Sequence, residues 1–163
     1  MLQNDELRVE ANPSNLGQRA HNLIQAMLSL NDMFVLSEPH VNQIFLEDVT
    51  NFLDSGDVRY TPRVKFSGKS GLDHLVDFVI PKSRHAPERI LQAINSPRRD
   101  RVESMLFAAN DMRAVRGQDV GYFALINDSK REIPSDIISA FSAYDISAQP
   151  WSRRAEIIEA LAA

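Results

Sequence analysis

Hydrophobic residues in the first third of the chain recur at a helical spacing. Apolar positions return every three or four residues over 16–28, which predicts an amphipathic helix with Ser14 or Asn15 as its N-cap. A second helix is predicted to begin at Pro39, because proline suits a first helical turn, and to end at 54–57. Its apolar stripe consists of Val41, Ile44, Phe45, Val49, Phe52 and Leu53.

From Val58 the period of the pattern changes to two residues. Apolar side chains alternate with polar ones as far as residue 66, which predicts a half-buried strand whose outer face carries Arg59, Arg63 and Lys65. A second strand is predicted over 72–80, where nearly every residue is apolar. The linker between them contains two glycines, which supply the positive φ angles of a hairpin turn. The two strands are therefore predicted to pair as a β-hairpin.

The remainder of the chain alternates between helical and extended patterns. Helices are predicted over 84–94, from Pro134 and after Pro150, and strands over 105–109, over 122–126 and around Ile146. We predict one α+β or α/β domain over 13–163, with a mixed sheet that contains the hairpin and is flanked by helices. Within it, residues 13–56 form a helical lead-in and residues 57–163 the hairpin with the alternating elements.

Composition limits the classes of protein to which the chain can belong. With 163 residues, 44% hydrophobic and 25% charged, it suits a single globular domain. It has no long apolar run and begins with an acidic segment, so we expect a cytoplasmic protein without a membrane partner. The absence of cysteine excludes disulfides, thiol catalysis and thiolate zinc sites. The net charge of -4 means that nucleic-acid binding requires a local basic patch. Candidates for it are Arg59, Arg63 and Lys65 on the strand and Arg98, Arg99 and Arg101 in a charged loop.

Gly68-Lys69-Ser70 looks like the tail of a phosphate-binding loop. Such a loop needs a glycine five positions earlier, where this chain has Arg63, and it must lead from a strand into a helix. Here the predicted linker joins two strands. The stretch is therefore interpreted as a hairpin turn and not as a phosphate site.

Acidic side chains in apolar surroundings provide the candidate chemistry. Asp77 lies within the second hairpin strand, Asp111 follows the strand predicted at 105–109, and Asp48 falls inside the helical stripe. With Arg113 or Lys82 to steady a phosphate, these three acids can hold Mg²⁺ or Mn²⁺ and activate water. A structural interpretation stays open, in which Asp77 accepts a hydrogen bond from His74, Lys82 or a backbone amide, and Asp48 lies at the edge of the stripe and caps a neighbouring backbone.

The acids partly match restriction-endonuclease-like nucleases. Those enzymes place an aspartate after a hairpin, a Glu-x-Lys on the next strand and often a glutamate on the preceding helix. In this chain Asp111-Met112-Arg113 has arginine in place of lysine, and the helix predicted at 84–94 separates the second strand from the third. A restriction-endonuclease-like core, working or degenerate, is therefore one expectation for the fold.

Longer motifs resemble a family. The segments VKFSGKSGLDHLVDFVIPKSRHAPERILQAINSP, YFALINDS and YDISAQPWSRR resemble bacterial and phage proteins of the domain of unknown function 1829 family. Members are normally preceded by domain of unknown function 1828, so the resemblance implies that residues 1–12 are the remnant strand of that domain. It implies no activity.

Three hypotheses for function follow, and the sequence leaves all three open. The first is a metal-dependent phosphodiesterase directed at nucleic acid. The second is a non-catalytic module of a bacterial defence or mobile-element system that binds nucleic acid or a protein partner. The third is a structural half of a larger protein.

Overall fold

The computed structural model describes residues 2–3, 6–117 and 119–162, and the chain divides into two compact units, Met1–Val41 and Asn42–Ala163. In the first unit, strand β1 (Leu2–Gln3) pairs antiparallel with β2 (Glu6–Leu7). The strand predicted within 1–12 is therefore limited to short segments that pair with each other. Residues 1, 4 and 5 of that prediction lie outside the described residues.

Helix α1 (Leu16–Ser55) extends from the first unit into the second. The two helices predicted from the sequence are parts of this one helix, which continues through Pro39. Proline removes one backbone donor but has a φ angle compatible with a helix, so the pattern overstated the break. Within the described part of the chain, no helix is both long and apolar enough to cross a membrane.

A mixed sheet forms the centre of the second unit. In the described residues it has five strands in the order β3 (Thr61–Ser67), β4 (Asp73–Ile80), β5 (Glu88–Ile94), β6 (Val120–Ile126) and β7 (Ile146–Pro150). Strand β4 runs antiparallel to both of its neighbours, β3 and β5, and β5, β6 and β7 are parallel. Helix α2 (Arg99–Arg116) connects β5 to β6, and α3 (Ser135–Ala143) connects β6 to β7. A 3-10 helix (Trp151–Ile157) and α4 (Ile158–Ala162) follow. The predicted α+β class and hairpin are confirmed.

Two hydrophobic cores lie on opposite faces of this sheet. Tyr122 and Ala124 of β6 belong to one core with α2 and α3, whereas the intervening residue Phe123 packs against the other core. The second core is completed by Phe45 and Val49 of α1, which are almost fully buried, together with the C-terminal helices. We refer to these as the α2-side core and the α1-side core.

Three predicted elements have a different secondary structure in the fold. The helix predicted at 84–94 is wrong, because Glu88–Ile94 is β5, which is largely buried on both faces. The strand predicted at 105–109 and the charged loop at 98–101 are wrong too, because they belong to α2 from Arg99 onward. A short apolar run does not distinguish a buried strand from a buried helical segment, which explains both errors.

Candidate functional site

The carboxylate of Asp111 is the centre of a polar cluster between α2 and the β3–β4 turn. Its Oδ1 accepts a hydrogen bond from the backbone N–H of Ser70 at 2.7 Å. Its Oδ2 accepts one from the Ser70 hydroxyl at 2.6 Å and lies 2.7 Å from Nε2 of His74. The Lys69 N–H also donates to the Asp111 carbonyl. Both carboxylate oxygens are therefore bound to the hairpin.

Gly68 makes this approach possible. A Cβ at that position would lie 1.9 Å from Oδ2 of Asp111 and 3.0 Å from Nε2 of His74, so any larger residue would displace the carboxylate. The adjoining turn closes with the Gly71 N–H donating to the Gly68 carbonyl, and Gly71 has a φ of 83°. The Gly-Lys-Ser stretch is thus a hairpin turn, and it surrounds an aspartate of the same chain.

The hydrogen bonds hold the pKa of Asp111 at about 2, below its usual 3.8, with His74 as the largest cause and the Ser70 hydroxyl as the next. The arrangement differs from a nucleophilic triad, because the carboxylate lies between the serine and the histidine. In the described residues Ser70 has no hydrogen bond to His74 that would remove its proton. The cluster is suited to joining two elements and not to activating a nucleophile.

Asp77 lies where β4 separates from β5. The paired residues of these strands are Phe78 with Leu91, Val79 with Ile90 and Ile80 with Arg89. Beyond Phe78 the ladder stops, and Oδ2 of Asp77 accepts a hydrogen bond from the Ala93 N–H at 2.8 Å. The side chain therefore replaces a ladder bond, which matches the structural interpretation that named a backbone amide. Burial raises the pKa of Asp77 despite this hydrogen bond.

Two arginines from separate elements lie near this carboxylate. The charges of Arg63 on β3 and Arg101 on α2 both act on Asp77 and partly offset the effect of burial on its pKa. Arg63 and Arg101 are exposed, and within the described residues neither forms a hydrogen bond or an ion pair. One arginine from each of the two basic groups predicted from the sequence therefore acts on the same carboxylate at the β4–β5 fork.

Arg63 also marks a change of face in the hairpin. It has a φ of 53°, and the nearest core-packing residues before and after it pack in different cores. Tyr60 belongs to the α1-side core, whereas Val64 packs against the α2-side core. Side chains two apart in a regular strand share one face, so the period-two pattern is interrupted here. Arg59 and Lys65 are exposed but do not continue a single basic face.

The remaining predicted site residues have separate locations. Nη1 of Arg113 donates to the Tyr144 carbonyl at 2.9 Å, and its guanidinium lies over the Tyr122 ring. Arg98 contacts Asp100, Arg99 pairs with Asp136 at 3.3 Å, and Lys82 is exposed. Lys65 lies 3.7 Å from Asp73.

The predicted metal ligands differ in their surroundings. Asp48 is exposed and lines a shallow pocket with Trp151 and Arg154, so its predicted place inside the apolar stripe is wrong. Asp111 and Asp77 are each occupied by hydrogen bonds from the protein. In the ranges that the structure describes, no three acidic or histidine side chains are grouped as a metal ion requires. Mg²⁺ or Mn²⁺ binding at these acids stays a prediction.

Sequence reasoning missed the part played by Ser70 and the position of Gln92. The signal for Ser70 was its place in the hairpin turn, four residues before His74, since both residues reach the same carboxylate. Gln92 lies between Leu91, the last residue of β5 that pairs with β4, and Ala93, whose N–H donates to Asp77. Its segment was assigned to a helix, which concealed that relation.

Comparison with known proteins gives a family but no activity. A solved structure of Can2 from Sulfobacillus thermosulfidooxidans, in complex with cyclic tetra-adenylate, is similar with a TM-score of 0.46 and 7% sequence identity. The match covers 72% of this chain and 33% of that one, so the chain spans about a third of Can2. No curated protein matches the chain. The family model of a domain of unknown function, DUF1829, matches residues 68–154, from the Asp111-binding turn to Arg154. Because these residues are more than half of the chain, the protein belongs to the DUF1829 family.

Proposed function

We propose that the second unit is a restriction-endonuclease-like domain that binds nucleic acid but has lost its catalytic residues. The order of elements supports the fold assignment: a helix, three antiparallel strands, a helix and a further parallel strand. The sequence-based objection was a helix between the second and third strands. That objection no longer applies, because the segment is β5.

The residues across from Asp77 support the loss of catalysis. In the nuclease pattern, the strand next to the aspartate carries Glu-x-Lys. In this chain that strand has Gln92-Ala93-Ile94 beside Asp77, so an amide replaces the carboxylate and an apolar side chain replaces the lysine. Ile94 is only 6% exposed and packs in the α2-side core. One carboxylate without a second acid or a lysine is a poor set for binding a metal and activating water.

The observation that carries the binding function is a pair of exposed arginines, Arg63 on β3 and Arg101 on α2, whose charges both act on Asp77 at the β4–β5 fork. Guanidinium groups bind phosphate in a bidentate manner, and these two have no carboxylate in hydrogen-bonding contact to compete for them. A patch of this kind binds the backbone of nucleic acid without reading its sequence.

The test is fluorescence anisotropy with single- and double-stranded DNA over a series of salt concentrations. We expect wild-type binding that weakens with salt. The slope of the logarithm of the binding constant against the logarithm of salt concentration should be smaller in magnitude by about one in each of Arg63→Ala and Arg101→Ala. Arg131→Ala is the matched control, because Arg131 is exposed but lies in the loop after β6. An equal loss of DNA affinity in all three variants would contradict the proposal. Absence of binding by the wild type at low salt would contradict it too.

A second measurement separates binding from catalysis. Calorimetric titration with Mn²⁺ and a cleavage assay with Mg²⁺ or Mn²⁺ are expected to give neither metal binding nor cleavage. Cleavage that is lost in a folded Asp77→Ala variant would instead assign a working phosphodiesterase site. DNA binding with no cleavage supports the non-catalytic module.

A further inference from the structure

The first part of α1 exposes several large apolar side chains. Leu16, Ile24, Met27, Leu28, Leu30 and Met33 are each between 37% and 66% exposed. Isolated exposed hydrophobic residues are common on proteins, but contiguous patches mark interaction surfaces. We call the segment 16–33 the apolar segment of α1.

The spacing along this segment is that of a coiled-coil seam. Leu16, Ala20, Leu23, Met27 and Leu30 are separated by alternating steps of four and three residues, which keeps them on one stripe. The opposite side is polar at every corresponding step, with Gln18, Asn22, Gln25, Ser29 and Asp32. A seam of this period fits another helix better than a flat sheet or a loop.

The seam is complementary to itself in an antiparallel arrangement. With a two-fold axis near Gln25, Leu23 of one copy packs against Met27 of the other, and the small Ala20 packs against the large Leu30. Ile24, one residue from the axis and beside the seam, then lies next to its own copy with an offset of roughly 3 Å along the helix, at 1.5 Å per residue. Alternation of small and large side chains lets two helices approach closely without leaving cavities.

Charge and area also favour a second copy of the chain. The segment has only Arg19 and Asp32 as formal charges besides His21, whereas a helix lying on a membrane surface is rich in lysine and arginine. Five of these six side chains, all but Leu28, lie on or beside the seam, and at on the order of 100 Å² each they present roughly 500 Å² per copy. Two copies would bury roughly 1,000 Å², which is the lower limit for a specific interface.

We propose that the protein forms a dimer in which the apolar segments of α1 pair antiparallel. The test is analytical ultracentrifugation of the full chain and of two variants over a range of protein concentrations. The wild type is expected to sediment at twice the chain mass of 18.4 kDa. Met27→Glu should weaken dimerisation roughly a hundredfold by placing charge in the seam. Gln25→Glu, which adds the same charge on the polar side, should leave it unchanged. A wild type that stays at one chain mass overturns the proposal, as does equal dissociation of both variants.

Cross-linking gives a second test, which uses the absence of natural cysteines. In the antiparallel dimer Ile24→Cys lies beside its copy, offset by only roughly 3 Å along the helix, and should form an intermolecular disulfide under mild oxidation. Leu16→Cys should not, because its copy lies at the far end of the seam, roughly 27 Å away at 1.5 Å per residue. A disulfide from Leu16→Cys but not from Ile24→Cys would overturn the antiparallel arrangement, because it requires a parallel one.

Discussion

Asp111 illustrates at the scale of one residue how a buried acid can serve structure instead of chemistry. Its two oxygens receive two hydrogen bonds from Ser70 and contact His74, and Gly68 leaves the space that they need. A carboxylate satisfied in this way has little capacity left for a cation. The four residues therefore form one structural unit that joins the hairpin to α2.

Replacement of Asp111 by asparagine should change the dependence of stability on pH. The folded-state pKa of Asp111 is lowered to about 2 from 3.8, so its ionised form contributes stability above pH 3.8 that is lost as the pH falls through 2. The free energy of unfolding of the wild type should therefore exceed that of Asp111→Asn by a constant amount near neutral pH. This difference should shrink between about pH 4 and pH 2. Urea unfolding followed by circular dichroism at a series of pH values measures it. The control is Asp119→Asn, at an exposed position. An equal change in the pH dependence of its stability would contradict the role assigned to Asp111.

The sequence could suggest some of these residues but not their partners. Asp77 and Asp111 were recognisable as acids in apolar surroundings, and the Gly-Lys-Ser turn was recognisable as a hairpin. The contact between Asp111 and this turn was not recognisable, because Ser70 and Asp111 are 41 residues apart and meet only after α2 folds onto the hairpin. Local patterns contain no information about such a contact.

At the scale of elements, the β4–β5 fork explains both a correct and an incorrect prediction. Alternation identified the hairpin, since β3 is polar on one side. It failed for β5, because Ile90 and Leu91 are buried on opposite faces and their spacing also fits a helix. Once β5 is known to be a strand, Asp77 is recognised as the group that replaces a ladder bond where the strands part.

Substitutions at Asp77 should separate its role as a hydrogen-bond acceptor from the effect of its charge. Asp77→Ala leaves the Ala93 N–H without its acceptor and should cost about 1–3 kcal/mol. Asp77→Asn keeps an acceptor and removes a charge that burial disfavours, so at neutral pH it should be at least as stable as the wild type. Because the folded-state pKa of Asp77 is raised, the stability of the wild type should increase relative to that of Asp77→Asn as the pH falls toward 3.8. Urea titrations at neutral and acidic pH test this order. An asparagine variant as unstable as the alanine variant would show that the carboxylate charge itself is required.

At the scale of the whole molecule, the two units differ in how they are stabilised. Both hydrophobic cores are formed by residues of Asn42–Ala163, from Phe45 to Leu161. The described residues of the first unit contribute no member to either core, and the apolar segment of α1 is exposed. The composition predicted a single domain. Composition alone cannot show that the first part of a long helix contributes to neither core.

Removal of the first unit should therefore leave the fold of the second intact. A chain of residues 42–163 keeps Phe45, Val49 and Leu53, which are 2%, 0% and 0% exposed in the α1-side core. Its unfolding free energy should lie within about 1 kcal/mol of that of the full chain, compared at a concentration where both are monomeric. A chain of residues 50–163 is the matched control. It lacks Phe45 and Val49 and should lose on the order of 5 kcal/mol or fail to fold, because two buried side chains leave the core open to water. Urea unfolding measures both chains, and similar destabilisation in each would mean that the first unit supports the sheet directly.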